Sequence, residues 1–168
     1  MVENANRANL GLLEQVRKVV ERQVADIERL AAQITLHPEL PALMNSPQQT
    51  LEDQFQFMDF MKQLRNYRNA RNQDINFYIY FNESNTILTP KMKADPELFF
   101  KYIQIYEDRD MDWIFNTMFS GVHQRSYFTT TPVRSGAVVR SNLSFLQSLP
   151  LHEKTNIKAY LVIHFDEN

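Results

Sequence analysis

The spacing of apolar residues changes at Ile75, and this change constrains the fold more than any other feature of the chain. Before Ile75, apolar residues recur with the period of helices. From Ile75 onward, apolar residues at 75, 77, 79 and 81 alternate with asparagine or tyrosine at 76, 78, 80 and 82, which is the period of a β-strand. A turn at 82–85 and a return strand at 86–89 then predict a hairpin with one apolar face and one face of tyrosines.

The segment before this hairpin predicts a long N-terminal helix over 7–35. Apolar residues recur there every seven positions, and others fill the same face, which produces the stripe Leu13, Val16, Val20, Val24, Ile27, Leu30, Ala31 and Ile34. No proline or glycine interrupts the chain between Leu12 and His37. Two interpretations of the stripe stay open, and both can hold along one helix: it packs on the chain's own core, or it pairs with a second copy as a coiled-coil stalk.

Further helices and strands are predicted on either side of the hairpin. Ser46 and Pro47 predict the N-cap and first residue of a second helix that ends near Arg71. Helices at 95–105 and 110–119 follow the hairpin, and strands follow them at 124–133, 137–147 and 157–166, with a tight turn at 134–136. We therefore predict an α+β fold. A stalk helix over 1–36 precedes one unit over 37–168, with a five-stranded, mostly antiparallel sheet and inserted helices.

Composition and motifs exclude several classes of function. The net charge of -2 gives no general attraction for nucleic acid, and the chain has no cysteines for disulfides or thiolate metal sites. The three glycines lie too far apart for a phosphate-binding loop, and the four histidines lack the spacing of a zinc hydrolase. Asp108, Asp110 and Asp112 resemble the start of a calcium loop, but its glycine and final glutamate are missing. We predict no enzyme activity, no cofactor and no metal site.

The two ends of the sequence suggest a piece of a longer protein. The first residues do not resemble a signal peptide, and no apolar run approaches the roughly 18 residues of a membrane span. The last apolar strand, AYLVIHF, is followed directly by Asp166, Glu167 and Asn168, with no closing element. We therefore expect further segments of the protein outside this sequence.

Several segments, taken in order, resemble the Cache family of bacterial extracytoplasmic sensor domains. They are the long leading helix, FYIYFNESNTI, MDWIF with the only tryptophan, RSYFTTTPV, LSFLQSLPL and AYLVIHFDE. The nearest resemblance is to the outer part of double-Cache receptors, as in membrane-anchored AraC-type regulators and sensor histidine kinases. The resemblance implies a PAS-like sheet that senses a ligand on the extracellular side of the membrane. It also implies that the full-length protein is anchored by transmembrane helices outside this chain.

The resemblance further implies a small-molecule pocket between the sheet and the segment 95–119. Amino-acid-binding members carry a tyrosine, an arginine and a Trp-Tyr pair on the inserted helix and a Tyr-x-Asp on the next strand. The matching residues here are Tyr106, Arg109, Trp113 and Tyr127. The chain departs from that pattern, because Ile114 follows the tryptophan and Thr129 stands where the aspartate would hold an ammonium group.

Three further residues complete the predicted ligand site. Tyr78 lies on the tyrosine face of the hairpin, and Arg140 and Asn142 lie on the polar face of the strand 137–147. Arginine holds carboxylates through two parallel hydrogen bonds. Arg109 and Arg140 therefore indicate a carboxylate or another oxygen-rich anion as the ligand.

The same residues also have purely structural interpretations. Trp113 can fill the core of a small sheet, Tyr78 and Tyr127 can be half-buried strand residues, and Arg140 can face solvent or an ion-pair partner. In that case the chain is a dimerising spacer or a protein-interaction module without a small-molecule ligand. As a sensor, its partners would be an unknown small molecule and, if the stalk pairs, a second copy of the chain, with no nucleic acid contact.

Overall fold

The computed structural model describes residues 2–69, 75–129, 132–140 and 142–166. The chain begins with three helices: α1 (Val2–Thr35), α2 (Leu40–Met44) and α3 (Leu51–Asn69). At a rise of about 1.5 Å per residue, the 34 residues of α1 form a helix about 51 Å long. The predicted N-terminal helix is therefore confirmed. Within the described ranges, no helix combines the length and the apolar character that a membrane crossing requires.

Short strands follow the helices and form two antiparallel sheets. In chain order they are β1 (Ile75–Phe81), β2 (Thr86–Leu88), β3 (Lys93–Ala94), β4 (Ile105–Tyr106), β5 (Ser126–Thr129), β6 (Val133–Ser135), β7 (Val138–Arg140), β8 (Asn142–Leu149) and β9 (Ala159–Asp166). The main sheet has the order β3-β2-β1-β9-β8-β5, and the small sheet has the order β4-β6-β7. The predicted α+β class, with a long helix and antiparallel sheet, is confirmed.

The segment between β3 and β5 carries two short helices that each continue as a π-helical turn. α4 (Pro96–Leu98) continues as Phe99–Ile103, and α5 (Met111–Trp113) continues as Ile114–Met118. The carboxylates of Asp95 and Asp110 accept hydrogen bonds from backbone N–H groups of the first turn and so cap the two helices. Gly121 follows the second helix with φ +73°, a left-handed conformation that glycine adopts without strain.

The two faces of the main sheet pack against different parts of the chain. One face meets the three helices in a buried cluster that includes Ile27, Ile34, Leu43, Phe57, Phe60, Leu64, Phe77, Ile79 and Ile163. The other face lies beneath the inserted segment, in a second cluster that includes Tyr78, Tyr80, Phe99, Phe100, Tyr106, Ile114, Met118 and Phe119. The apolar face of the predicted hairpin therefore packs on the helices, and its tyrosine face packs on the insertion.

Helix α1 has two regions with different surroundings. Near its C-terminal end, Ile27, Leu30 and Ile34 are buried against the sheet and the other helices. Closer to the N-terminus the same stripe is exposed, with Leu13 at 65% and Val20 at 44% of their full accessibility. The stripe thus packs on the chain's own core only over its last turns, and its earlier part projects into solvent.

The start of α3 differs from the prediction. The cap is Thr50 rather than Ser46: Thr50 Oγ1 accepts a hydrogen bond from the Asp53 N–H at 3.1 Å, and the Thr50 N–H donates to Asp53 Oδ2 at 3.3 Å. This reciprocal pair is a capping box. Gln48 has φ +56°, so the chain is not yet helical there. The predicted end near Arg71 lies outside the described residues.

The strands also differ from the prediction in number and extent. The predicted strand 124–133 is divided between β5 and β6, and 137–147 is divided between β7 and β8, so that each half belongs to a different sheet. Pro132 directly precedes β6, and proline lacks the N–H that a ladder in a sheet interior needs. The main sheet has six strands rather than five, because the two-residue β3 pairs with β2. The predicted turn is confirmed: Gly136, with φ +63°, joins β6 to β7.

Candidate functional site

A pocket of about 390 Å³ lies between the main sheet and the small sheet. Its walls come from β1 and β9, from the loop after β2, from the turn that continues α4, and from the β6–β7 hairpin. Its polar lining residues are Asn76, Thr89, Lys91, Gln104, Ser135, Arg140 and His164. Small-molecule sites measure about 300–1,000 Å³, so this pocket suits a small ligand.

The register of the small sheet determines which of its side chains face the pocket. Tyr106 of β4 pairs with Val133 of β6, which in turn pairs with Arg140 of β7, so these three residues form a row across one face. Ser135 and Val138 form the next pair on that face, toward the turn. Four of these five residues line the pocket, and the fifth, Tyr106, is buried behind it.

The residues between them belong to the opposite face of the small sheet. Arg134 alternates onto that face, where its Nε lies 2.8 Å from Glu107 Oε1. Val139 pairs with Arg134 and is about half exposed. Arg134 and Arg140 thus lie on the same hairpin with opposite orientation, and the pocket-facing cation is Arg140.

A buried chain of hydrogen bonds lies beneath the pocket and joins the two sheets. Ser144 Oγ lies 2.5 Å from His164 Nδ1, and His164 Nε2 lies 3.0 Å from the Tyr106 hydroxyl. The Tyr106 hydroxyl in turn lies 2.8 Å from that of Tyr78 and accepts a longer bond of 3.4 Å from Gln104 Nε2. Tyr106 comes from the small sheet, and Ser144, His164 and Tyr78 come from the main sheet, so the Tyr106 hydroxyl links the two sheets.

Burial keeps this chain uncharged at neutral pH. It lowers the pKa of His164 to about 4 and raises the pKa values of Tyr78 and Tyr106, because each charged form would lose its hydration. A neutral imidazole donates through one ring nitrogen and accepts through the other. His164 can therefore satisfy Ser144 and Tyr106 at the same time, and the floor of the pocket is polar but carries no charge.

The space beneath the middle of the insertion is filled by aromatic rings of the protein itself. The Tyr78 ring centroid lies 5.3 Å from that of Phe99 and 5.8 Å from that of Phe100. Tyr80 stacks on Phe119 at 4.5 Å. These contacts bury Tyr78 in a packed cluster, more fully than the half-buried strand residue of its structural interpretation, while its hydroxyl joins the hydrogen-bond chain under the pocket.

The structure brings some of the predicted site residues together and separates others. Tyr78 and Tyr106 share a hydrogen bond, and the Tyr106 ring lies 6.4 Å from that of Trp113. The Arg109 guanidinium lies 4.6 Å from the Trp113 ring centroid, in a cation–π contact. Trp113 and Arg109 thus adjoin the aromatic cluster, whereas Arg140 reaches the pocket itself.

Tyr127 lies on the other face of the main sheet. Its ring centroid is 5.4 Å from that of Phe145, and its hydroxyl donates to Glu28 Oε1 of α1 at 3.3 Å. Burial and the Glu28 carboxylate raise the pKa of Tyr127 to about 12. The sheet therefore stands between Tyr127 and the pocket. Asn142 begins β8, where its backbone pairs with that of Asp166, and its side chain lies outside the described part of the structure.

Sequence reasoning missed six of the seven polar residues that line the pocket: Asn76, Thr89, Lys91, Gln104, Ser135 and His164. A signal for His164 was available, because it is the one polar residue within the apolar run AYLVIHF and lies two and four positions after Val162 and Tyr160. Those residues share its face of the strand, which is the face covered by the insertion. Asn76 pairs with His164 across β1 and β9 and so reaches the same place.

Comparison with known proteins gives a likeness in fold. No family model matches the sequence, and no curated protein matches it. The solved sensory domain of the Campylobacter jejuni chemoreceptor Tlp3 (CcmL), with isoleucine bound, matches 90% of this chain with a TM-score of 0.50 and 14% identity. The ligand-binding domain of Tlp3 in complex with L-norvaline also matches 90% of it, with a TM-score of 0.51 and 14% identity.

The chain has the fold of a Cache-type sensory domain. The resemblance inferred from the sequence is therefore confirmed at the level of fold. The match spans about half the length of the two solved Tlp3 chains, 53% of one and 52% of the other. In this Cache-type fold, the helical layer that includes α1 covers one face of the main sheet, and the pocket borders the other.

Proposed function

We propose that this chain is the extracytoplasmic ligand-sensing domain of a bacterial membrane-anchored receptor, and that it binds a small anionic molecule beside Arg140. The observation that carries the proposal is the pocket between the two sheets, which combines a guanidinium with an uncharged polar floor. Lys91 adds a second positive charge to the lining. A guanidinium can donate two parallel hydrogen bonds to a carboxylate, whereas the neutral His164 adds no competing charge.

The likeness to the Tlp3 domains, which hold isoleucine or L-norvaline, supports a ligand-binding rather than a catalytic role for this fold. The part of those domains that this chain matches, about half, is consistent with one module of a double-Cache receptor. We include in the proposal that the sensor domain extends over 37–168 and that the receptor controls transcription or a histidine kinase. Its extracellular position and membrane anchor belong to the same proposal.

Two strands provide a physical link from the pocket to the stalk. His164 of β9 and Asn76 of β1 line the pocket, and Phe77, which also borders it, joins Ile163 in the cluster that contains Ile27 of α1. A ligand that shifts these strands would therefore move side chains packed against the stalk. Because packed interfaces resist gradual deformation, a small shift at the pocket can be transmitted along the helix.

The test is a thermal-shift screen of organic acids, amino acids, amines and sugars, followed by calorimetric titration of the best ligand. Binding at about one hundred times Kd stabilises the fold by about 2.7 kcal/mol, which a melting experiment detects readily. Arg140→Ala should weaken binding by about 1–3 kcal/mol, the scale of a hydrogen bond to a charged group. Arg134→Ala is the matched control, because it removes the same charge from the opposite face of the hairpin. Equal losses in both variants would contradict a site at Arg140.

The exposed part of the stalk favours a second, compatible role in dimerisation. Leu13, Val16 and Val20 are exposed along one stripe of α1, and such a heptad pattern pairs helices in coiled coils. We propose that two copies associate through this stripe, and weakly so without membrane anchors, because anchoring would raise their effective concentration. Light scattering at increasing protein concentration tests this association, and a strict monomer would contradict it.

A further inference from the structure

The pocket has an apolar part that narrows the class of ligand. Met92 comes from the loop after β2, Phe99 and Ile103 from the turn that continues α4, and Val133 and Val138 from the small sheet. These side chains belong to three separate elements, so a ligand in the pocket meets hydrocarbon from more than one side. A ligand with an apolar portion would bury it here, with a gain proportional to the area removed from water.

Part of the polar lining of the pocket is connected to the row of the small sheet that contains Arg140. Arg140 lies in the row of the small sheet that ends at Tyr106, and the Tyr106 hydroxyl contacts both Gln104 and His164. The next row toward the turn carries Val138. The inner face of the small sheet therefore presents Arg140 beside Val133 in one row and Val138 beside Ser135 in the next, so an apolar side chain lies one step from the guanidinium-bearing row.

We infer that the ligand is a small aliphatic monocarboxylate, whose carboxylate binds Arg140 and whose hydrocarbon chain contacts Val138, Met92 and Ile103. This inference rests on the proposed function and specifies the class of ligand that the same site binds. The volume of about 390 Å³ would hold roughly a dozen water molecules at about 30 Å³ each. An acid of about four to six carbon atoms fits that space and leaves room for several waters.

Calorimetric titration with the linear acids from acetate to hexanoate tests the inference. Each added methylene should lower Kd about fourfold until the pocket is full, because a buried methylene contributes about 0.8 kcal/mol. Pentanoate should bind at least about tenfold more tightly than norvaline or glutarate, which have the same number of carbons in the chain. Glutarate would place its second carboxylate among apolar side chains, and norvaline would place its ammonium group beside the Arg140 guanidinium, a charge of the same sign; both cost free energy.

Two pairs of variants separate the two parts of the site. Val138→Thr should reduce the gain in affinity per methylene by a larger factor than it changes the affinity for acetate. Val139→Thr is its matched control, because Val139 lies on the opposite face with similar exposure, 53% against 47%. Arg140→Ala should weaken the binding of all the acids by a common factor of about 5 to 150, and Arg134→Ala should not.

The outcomes distinguish the ligand class from the sensor function. If Kd does not fall with chain length, or if norvaline or glutarate binds more tightly than pentanoate, the monocarboxylate assignment is wrong and ligand sensing stands. If the thermal-shift screen and the titrations find no ligand at millimolar concentration, both proposals are wrong. If Val138→Thr and Val139→Thr reduce the affinity gained per methylene equally, the hydrocarbon chain of the ligand binds outside this pocket, and the assignment is wrong.

Discussion

His164 should make the stability of this protein depend on pH in mildly acidic solution. The imidazole is 2% exposed, both of its nitrogens are hydrogen-bonded, and burial lowers its pKa from 6.5 to about 4. In the unfolded chain the same group regains its ordinary pKa. The unfolded state therefore binds more protons than the folded state between about pH 6.5 and pH 4, and protonation in this window favours unfolding.

The size of the effect follows from that difference in pKa. A shift of about 2.5 units, at about 1.36 kcal/mol per unit, corresponds to about 3 kcal/mol of unfolding free energy. This contribution is fully present above pH 6.5 and is lost progressively as the pH falls toward 4. For a domain of this size that is a large part of a typical total of about 5–15 kcal/mol.

Urea denaturation, followed by the fluorescence of Trp113, measures the free energy of unfolding between pH 7.5 and pH 4. His164→Gln keeps an amide that donates and accepts but cannot titrate, so its free energy should fall by about 3 kcal/mol less than that of the wild type over this range. His152→Gln is the control, because it removes an exposed imidazole from a turn. If the wild type and His164→Gln have parallel pH profiles, the argument from burial is wrong.

Two further predictions concern the centre of the hydrogen-bond chain and the stalk. Tyr106→Phe removes the hydroxyl that links the two sheets and should lower the free energy of unfolding by about 1–3 kcal/mol in the same assay, because its buried partners lose a hydrogen bond. Tyr102→Phe, at an exposed site in the insertion, should leave it unchanged, and equal effects would contradict the role of Tyr106. The double variant Leu13→Glu with Val20→Glu should abolish concentration-dependent association in sedimentation velocity, because it places charges on the exposed stripe. Unchanged association would show that the chains meet elsewhere.

Local patterns in the sequence were enough to predict the helical layer and the faces of the hairpin. The seven-residue repeat of α1 and the alternation that begins at Ile75 depend only on the geometry of a single element. The alternation also assigned Phe77 and Tyr78 to opposite faces of the strand. In the structure, Phe77 packs on the helices and Tyr78 packs on the insertion. The Cache-type fold was recognisable from the order of such elements.

The division of strands between two sheets was not predicted, although one signal was present. Pro132 interrupts the run 124–133, and its missing N–H indicates a break in the ladder. The pattern of β-branched and aromatic residues continues past the proline, so periodicity alone extends one strand where the structure has β5 and β6. A strand joins the sheet whose segments can form hydrogen bonds with it, and these segments are often distant in the chain. Here β6 joins the small sheet because it pairs with the two-residue β4.

The candidate site depended most on tertiary structure. Arg140 was predicted from its place on a polar strand face, which is a local property of β7, whereas its place in the pocket depends on the packing of the other elements. The resemblance placed Tyr127 beside the same ligand. In the structure, Tyr127 contacts Glu28 of α1 on the face of the sheet opposite the pocket. His164 contacts the rest of the site through its hydrogen bond to Tyr106, which lies 58 positions away in the chain. Sequence by itself determined which residues share a face of each element, because that follows from backbone geometry. Only the packing of distant elements decided which faces meet, because the contacts responsible join residues with no local relation to one another.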